Sequence, residues 1–431
     1  MQKNNFEVII IGAGASGLVA ALELALTGKG VAVVEARDRI GGRAHTIVDD
    51  SFDQPVELGA EFVHGNLEHT WRFLKKAGLD SYEVEGEMWQ HDEGKLEEQK
   101  GFIEDYSALN KKFKELDHDI SVAEFFESYL QEKDFEGLRF TLKNYVEGYY
   151  AADTLKSSTY SLRDELSSSD SEQYRVEGGY VKLMDYLVAQ CQQKGVVFFL
   201  SSPVQQVNWE KNSVEVICTN GEFYSDKLLV TVPIGVLQSE KIRFSPALPL
   251  KMAAARKLGF GPVVKTLLQF DEAFWKNKKY TGQKNLEKLG FIFSSSVVPT
   301  WWTYYPKDSA MITGWSGGPH AEELKELDDE AILVKALESL SEIFSISFPE
   351  LKNKLRSWHV ANWIRDPYCC GGYSYEVVDG MEVRKQLREP EKETLFFTGE
   401  GLCDGPEIGT VEAALSTGRD AAHQMVASFK N

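Results

Sequence analysis

Residues 8–46 read VIIIGAGASGLVAALELALTGKGVAVVEARDRIGGRAHT. An apolar run, Val8 to Ile11, meets Gly12, Gly14 and Gly17 in G-x-G-x-x-G spacing, with Ala15 and Ser16 inside the motif. An Ala/Leu-rich segment of helical character follows, then a second apolar run that stops on Glu35. The order predicts strand, tight turn, helix, strand and acid. Glycines let the backbone turn sharply and approach a pyrophosphate seated on the helix N-terminus, where N–H groups lack partners. Glu35 lies 21 residues after Gly14, where a carboxylate can accept hydrogen bonds from a ribose hydroxyl. The same charge argues against NADP, whose extra phosphate it would repel. A glycine motif alone also fits a plain chain reversal; four conditions met together make that reading improbable.

Beyond Glu35 the chain continues as Ala36, Arg37, Arg39, Gly41, Gly42, Arg43 and Thr46. This extended pattern resembles the two-dinucleotide-binding motif of glutathione-reductase-like flavoproteins. The resemblance implies FAD rather than NAD. It implies that Gly42 and Arg43 run along the pyrophosphate toward the flavin, with Arg43 as the charge partner there.

Length and composition bound the remaining readings. At 431 residues the chain is too long for one ordinary core, so two domains are expected. Hydrophobic content of 43% and charged content of 26% fit a soluble globular protein. No apolar stretch approaches the roughly 18 residues of a membrane span, and the first apolar run is the dinucleotide strand rather than a signal peptide. A net charge of −19 argues against nucleic acid as a partner and is compatible with cationic substrates, though acidity often serves solubility alone. Five cysteines, an odd number, do not form a disulfide framework, so a reducing, cytoplasmic setting is expected. The eight histidines show no metal-ligand spacing.

The organisation reads as interleaved. The dinucleotide unit and VELGAEFVHG (56–65) precede a charged, aromatic stretch of helical pattern over about 66–170. Strand and helix signals return over 174–209, with a hairpin at Asn220-Gly221 and a further strand over Leu228–Val232. Val263–Phe270 and Trp301–Tyr305 read as strands and 321–344 as one acidic amphipathic helix. The end of the chain is again strand, loop and helix. A cofactor domain of residues 1–75, 176–250 and 380–431 and a substrate domain of 76–175 and 251–379 are expected.

Four blocks together resemble the flavin-containing amine oxidases: monoamine oxidases, polyamine oxidases and lysine-specific histone demethylases. They are the FAD motif with GGRAHT, VELGAEFVHG, VTVPIGVL with KLGFGPVVKTLLQFDEAFW, and WIRDPYCCGGYSY with LFFTGE and GTVEAALSTGRDAA. VHG after ELGA and the DPY…GGYSY run are most similar to the polyamine oxidase branch. The resemblance implies an α/β, two-domain fold: a glutathione-reductase-like Rossmann FAD domain plus a mixed-sheet α+β substrate domain.

It also implies site roles. Lys265 occupies the position of a lysine that holds a water beside the flavin, against the plain alternative of an exposed lysine on an edge strand. Tyr373 forms one wall of an aromatic cage that can guide an amine. The second cage wall of monoamine oxidases falls on Thr410. Gly372 stands where monoamine oxidases carry the flavin-attaching cysteine, so FAD is expected to be non-covalent. Trp363 is similar to a tryptophan packed on the flavin. Gly399, Glu400, Gly59, Ala60, Glu61, Val204, Thr410 and Val411 complete the expected cofactor contacts. Substrate contacts are expected from His64 first and Glu61 second, with Glu57, Glu147 and Trp302 as further candidates, each weighed against an ordinary solvated or packed side chain.

The reaction implied is oxidation of an amine, with a polyamine favoured, to an imine and then an aldehyde, dioxygen being reduced to hydrogen peroxide. An L-amino-acid oxidase stays open as the first alternative, and a monoamine oxidase or a non-catalytic flavin-binding protein as others.

Overall fold

The opening motif folds as its glycines require. In the computed structural model, which describes residues 5–99, 106–167, 172–282 and 284–429, a strand over Asn5–Ile11 runs into Gly12 at φ +109°. Gly14 then caps the helix Ala15–Leu26 without a side-chain hydrogen bond. A Cβ at Gly17 would lie 2.0 Å from the Gly12 carbonyl oxygen, so only glycine lets the helix start this close to the strand. The strand Val31–Val34 pairs parallel with the first, Val8 opposite Val31 and Ile11 opposite Val34. Val8 and Ile10 enter one core and Ile9 and Ile11 another, as expected for a sheet covered on both faces.

That first sheet has the strand order Val197–Phe199, Val31–Val34, Asn5–Ile11, Gly221–Val230, Ser213–Cys218, Val204–Glu210, Arg243–Ser245, with Leu395–Phe397 also paired to Gly221–Val230. The C-terminal helix Val411–Ser428 packs against the first helix. Gly418 permits the approach, since a Cβ there would meet the Ser16 carbonyl oxygen at 2.4 Å.

The second sheet runs Leu355–Asn362, Val263–Phe270, Met311–Gly317, Thr300–Thr303, Leu289–Ser294, Glu87–Asp92, Lys95–Gln99. Val263–Phe270 is interior and all eight of its residues are buried. A helix over Glu136–Asn144 continues into a π-helical turn, Tyr145–Tyr149. Trp315 ties this turn to the sheet by donating from Nε1 to the Gly148 carbonyl at 2.8 Å.

Several expectations are corrected. The stretch 66–170 is not helical throughout: Ser81–Glu83, Glu87–Asp92 and Lys95–Gln99 are strands, and its residues 100–105 and 168–170 lie outside the described residues. The helix expected over 321–344 is two, Gly318–Leu324 and Asp329–Phe344, because the Asp328 side chain caps the second by accepting from Ala331 N–H at 2.8 Å. The strand at Trp301 ends at Thr303, where the Thr303 hydroxyl accepts from Tyr305 N–H. Leu228–Val232 is no separate strand; it is the end of Gly221–Val230, which pairs antiparallel with Ser213–Cys218 and then parallel with Leu395–Phe397. Among the described residues, no helix is long and apolar enough to cross a membrane.

Candidate active site

One cavity of about 870 Å³ draws its wall from both sheets. Its dinucleotide end is lined by Gly12, Gly14, Ala15, Ser16, Glu35, Ala36, Arg37 and Val204. Gly17, expected to touch the cofactor, is absent from this wall; its part is the helix–strand approach described above. Glu35 is buried and accepts from Ala13 N–H at 2.8 Å and Arg37 N–H at 2.9 Å. Each carboxylate oxygen retains acceptor capacity for a ribose hydroxyl. The Arg37 guanidinium is engaged by Asp366 in a fork of 2.8 and 2.6 Å, leaving its backbone as the part that serves Glu35.

The residues present fit FAD on observations of this cradle itself. A Cβ added at Gly14 would meet nothing within 4 Å, so the backbone there faces open space. The Ser16 hydroxyl, in the first turn of the helix, is buried without a hydrogen-bond partner. Bare N–H groups, a free hydroxyl and helix polarity suit a pyrophosphate.

Further along, Gly42, Arg43, Gly59, Ala60, Trp363, Gly399, Glu400, Thr410 and Val411 line the same cavity. Arg43 donates to the Gly372 carbonyl at 2.8 Å and pairs with the buried Glu400. Glu400 also accepts from the Ser374 hydroxyl at 3.3 Å. Trp363 donates from Nε1 to the Leu58 carbonyl at 2.8 Å, which fixes its ring plane. Thr410 caps the C-terminal helix, accepting from Ala413 N–H at 3.2 Å and presenting that helix N-terminus to the cavity.

Lys265 is 1% exposed and projects from the interior of the second sheet, not from an edge. Its Nζ donates to Glu61 Oε2 at 2.6 Å and to the Gly59 carbonyl at 3.3 Å. Glu61 Oε1 accepts from Arg175 Nε at 2.8 Å and from Trp302 Nε1 at 3.0 Å. Burial alone would push the Glu61 carboxyl up; Lys265 and Arg175 together hold it below the usual range. Glu61 is thus an anion shared between two buried cations. It is not a free carboxylate for a distal ammonium, which corrects its expected substrate role.

Glu147 is also corrected. It is buried and lies off the cavity wall, 3.9 Å from Lys143 Nζ, while Asn144, Tyr145, Gly148 and Tyr149 of the same stretch line the cavity. Glu57 sits behind the cavity, accepting from the Thr46 hydroxyl and Tyr180 N–H, both at 2.7 Å. Burial pushes its carboxyl up to about 7 against those hydrogen bonds. A raised carboxyl favours the folded state below about 4.5 and loses that contribution as pH climbs through about 7. The Glu57→Gln variant should therefore gain roughly 3 kcal/mol relative to wild type between those limits, at about 1.36 kcal/mol per pH unit. Urea unfolding at both pH values checks this; a constant difference between the proteins contradicts it.

His64 lines the cavity and its Nδ1 lies 3.3 Å from the Tyr149 hydroxyl. Burial pushes the imidazole down to about 4, so it is neutral at physiological pH and does not repel a cation. Tyr373 hydrogen-bonds through its hydroxyl to the Tyr149 carbonyl and stacks on Trp315, ring centroids 6.1 Å apart at 21°. Trp302 lies 5.4 Å below the Lys265 ammonium and 5.9 Å from Trp315.

Sequence reasoning missed Trp315 and Arg175. Trp315 sits in MITGWSG, where its neighbours are small, the one local sign that a large ring has space above the strand. Arg175 lies in the strand Gln173–Val176, whose first two residues are half-buried, and nothing in its local sequence marks it as a buried counter-charge.

Comparison with known proteins identifies the family. The chain is 30% identical over 457 residues to polyamine oxidase 2 of Arabidopsis thaliana, covering 98% of this chain and 88% of that one. It is 28% identical to human lysine-specific histone demethylase 2 over 92% of this chain but only 50% of the relative. Among solved structures it superposes on cyclohexylamine oxidase from Brevibacterium oxydans with a TM-score of 0.79 at 20% identity, covering 99% of this chain and 100% of that one. Putrescine oxidase bound to putrescine gives 0.78 at 20% identity, covering 98% and 99%. The family model for flavin containing amine oxidoreductases matches residues 15–426. The chain belongs to the flavin containing amine oxidoreductases, with FAD as its cofactor and an α/β amine oxidase fold.

Proposed function

We propose that this enzyme oxidises a linear polyamine at the end of the cavity where Lys265, Tyr373 and His64 converge, with dioxygen as the final acceptor and hydrogen peroxide as a product. The observation that carries the substrate class is the wall itself. Beyond the cofactor end it is aromatic, with Phe62, Tyr149, Phe291, Trp302, Trp315 and Tyr373. Among the described residues, its arginines are Arg37 and Arg43, held by Asp366 and Glu400 at the cofactor end. An α-carboxylate would find no free arginine, which disfavours an amino acid. An amine finds aromatic faces that attract cations without binding an anion.

Bound FAD supplies what the side chains lack, taking up the two electrons lost by the substrate C–H bond and delivering them to dioxygen. The side chains bind, orient and exclude water. Stacked Tyr373 and Trp315 confine the reacting carbon. Neutral His64 can accept a hydrogen bond from a substrate N–H. The Lys265 ammonium has three donors, two of them held by Glu61 and Gly59; the third serves a water or dioxygen in the cavity. The resulting imine is hydrolysed to an aldehyde. The division into cofactor segments 1–75, 176–250 and 380–431 and substrate segments 76–175 and 251–379 belongs to the same proposal. It is supported by the first sheet taking its strands from the former and the second from the latter.

FAD is held without a covalent bond in this reading. A Cβ at Gly372 would lie 2.3 Å from Val263 Cγ2, so a cysteine does not fit the attaching position, and Cys369 is turned to the Gly371 carbonyl at 2.8 Å. Acid precipitation should release the yellow colour into the supernatant; colour retained in the pellet contradicts this. The function itself is tested by screening spermine, spermidine, their acetyl forms, monoamines and amino acids for peroxide formation. Polyamines should lead. An amino acid as best substrate would replace this reading with an L-amino-acid oxidase.

A further inference from the structure

Five strands of the second sheet each contribute one residue to a single cross-strand row. Lys265 stands opposite Trp315, Trp315 opposite Thr300, Thr300 opposite Phe293 and Phe293 opposite Gln90. Directly opposed residues project from the same face of a sheet, and all five of these line the cavity. The row therefore runs along the cavity floor, away from the reacting end at Lys265 and Trp315.

Strand spacing gives this row a length. Three spacings of about 4.8 Å separate Trp315 from Gln90, roughly 14 Å. At the far end Gln99 Nε2 donates to Gln90 Oε1, and both amides line the cavity. That leaves the Gln90 N–H groups and the Gln99 oxygen for a ligand. The floor between is aromatic, and Asn144 and Thr141 supply further polar groups to the cavity wall. One strand further, Glu97 stands opposite Gln90 and is exposed at the sheet edge.

We infer that the Gln90–Gln99 amide pair is the distal docking point for a linear polyamine, so that the sheet selects substrates by length. This rests on the function proposed above. An extended chain advances about 3.5 Å per three bonds, so roughly 14 Å corresponds to about twelve bonds between the reacting carbon and the far nitrogen. A chain of that length lays its inner nitrogens over Phe293 and Trp302, where a cation is attracted by the ring faces. Its terminal N–H groups reach the Gln99 oxygen, with Glu97 outside drawing the positive end into place. A short diamine ends over the aromatic floor and leaves both amides to water.

The test uses flavin-loaded enzyme and a series of linear α,ω-diamines from four carbons upward, together with a tetraamine. In the wild type kcat/KM should rise at least about tenfold between the four-carbon diamine and an amine spanning twelve bonds, the scale of a hydrogen bond to a charged group. In Gln90→Leu and Gln99→Leu the long-to-short ratio should fall by about the same factor, through KM rather than kcat. Gln90→Glu, which places a charge at the docking point, should keep or raise the ratio. A wild-type profile independent of length, or an unchanged ratio in both leucine variants, overturns the length selection while leaving the amine oxidase reading intact. Failure to oxidise amines of any length overturns both.

Discussion

Lys265→Met is expected to slow amine oxidation or the reoxidation of reduced enzyme by at least about tenfold, equivalent to ~1.4 kcal/mol of barrier. The variant should still bind FAD, because Lys265 belongs to the second sheet and not to the dinucleotide cradle. Methionine keeps most of the volume of the stem, so packing among Val263, Val264, Leu267 and Leu268 is preserved. What disappears is the ammonium, and with it one of the two cations on Glu61. The Glu61 carboxylate keeps Arg175 and Trp302 as partners, so the structural loss should be moderate. Separate measurement of the two half-reactions locates the effect. Unchanged rates in both would mean that the lysine is structural.

Glu61→Gln is expected to be the more damaging change to the fold. Glu61 is 5% exposed, and its removal leaves Lys265 and Arg175 as buried cations on either side of a neutral amide. Breaking a buried pair by deleting one partner costs about 3–5 kcal/mol, because the remaining charge stays desolvated. The double variant Glu61→Gln, Arg175→Met should recover part of that loss, since it removes one of the two stranded cations. Unfolding in urea checks both. A single variant within about 0.5 kcal/mol of wild type would show that these side chains are not coupled as described.

The parts legible in the sequence are those whose physics is local. The dinucleotide unit needs only a strand, a turn that glycine alone permits, a helix and an acid within 28 residues, Val8 to Glu35. Lys265 is marked by the resemblance of VVKTLLQF and its flanks to the amine oxidase pattern, with its apolar neighbours as support. The partner itself was not legible. Glu61 lies 204 residues from Lys265, and Arg175 lies between them, 114 residues from Glu61; neither position carries a local mark of where it will be buried. Glu61 therefore read as a free acid. The strands Glu87–Asp92 and Lys95–Gln99 read as helical because they close the sheet at its edge, where half their side chains are charged and face solvent. Glu147 carries no local mark of which way it faces, and the structure turns it off the cavity wall toward Lys143.

The central claim is that the cavity brings an amine into reaction with the bound flavin, with polyamines preferred. It is tested most directly by mixing flavin-loaded enzyme with a tetraamine, a monoamine or an amino acid in the absence of oxygen and following the loss of yellow absorbance. Bleaching should be fastest with the tetraamine and slowest with the amino acid, with colour restored when air is admitted. No bleaching by any amine would contradict catalysis at this site, and fastest bleaching by the amino acid would contradict the substrate class.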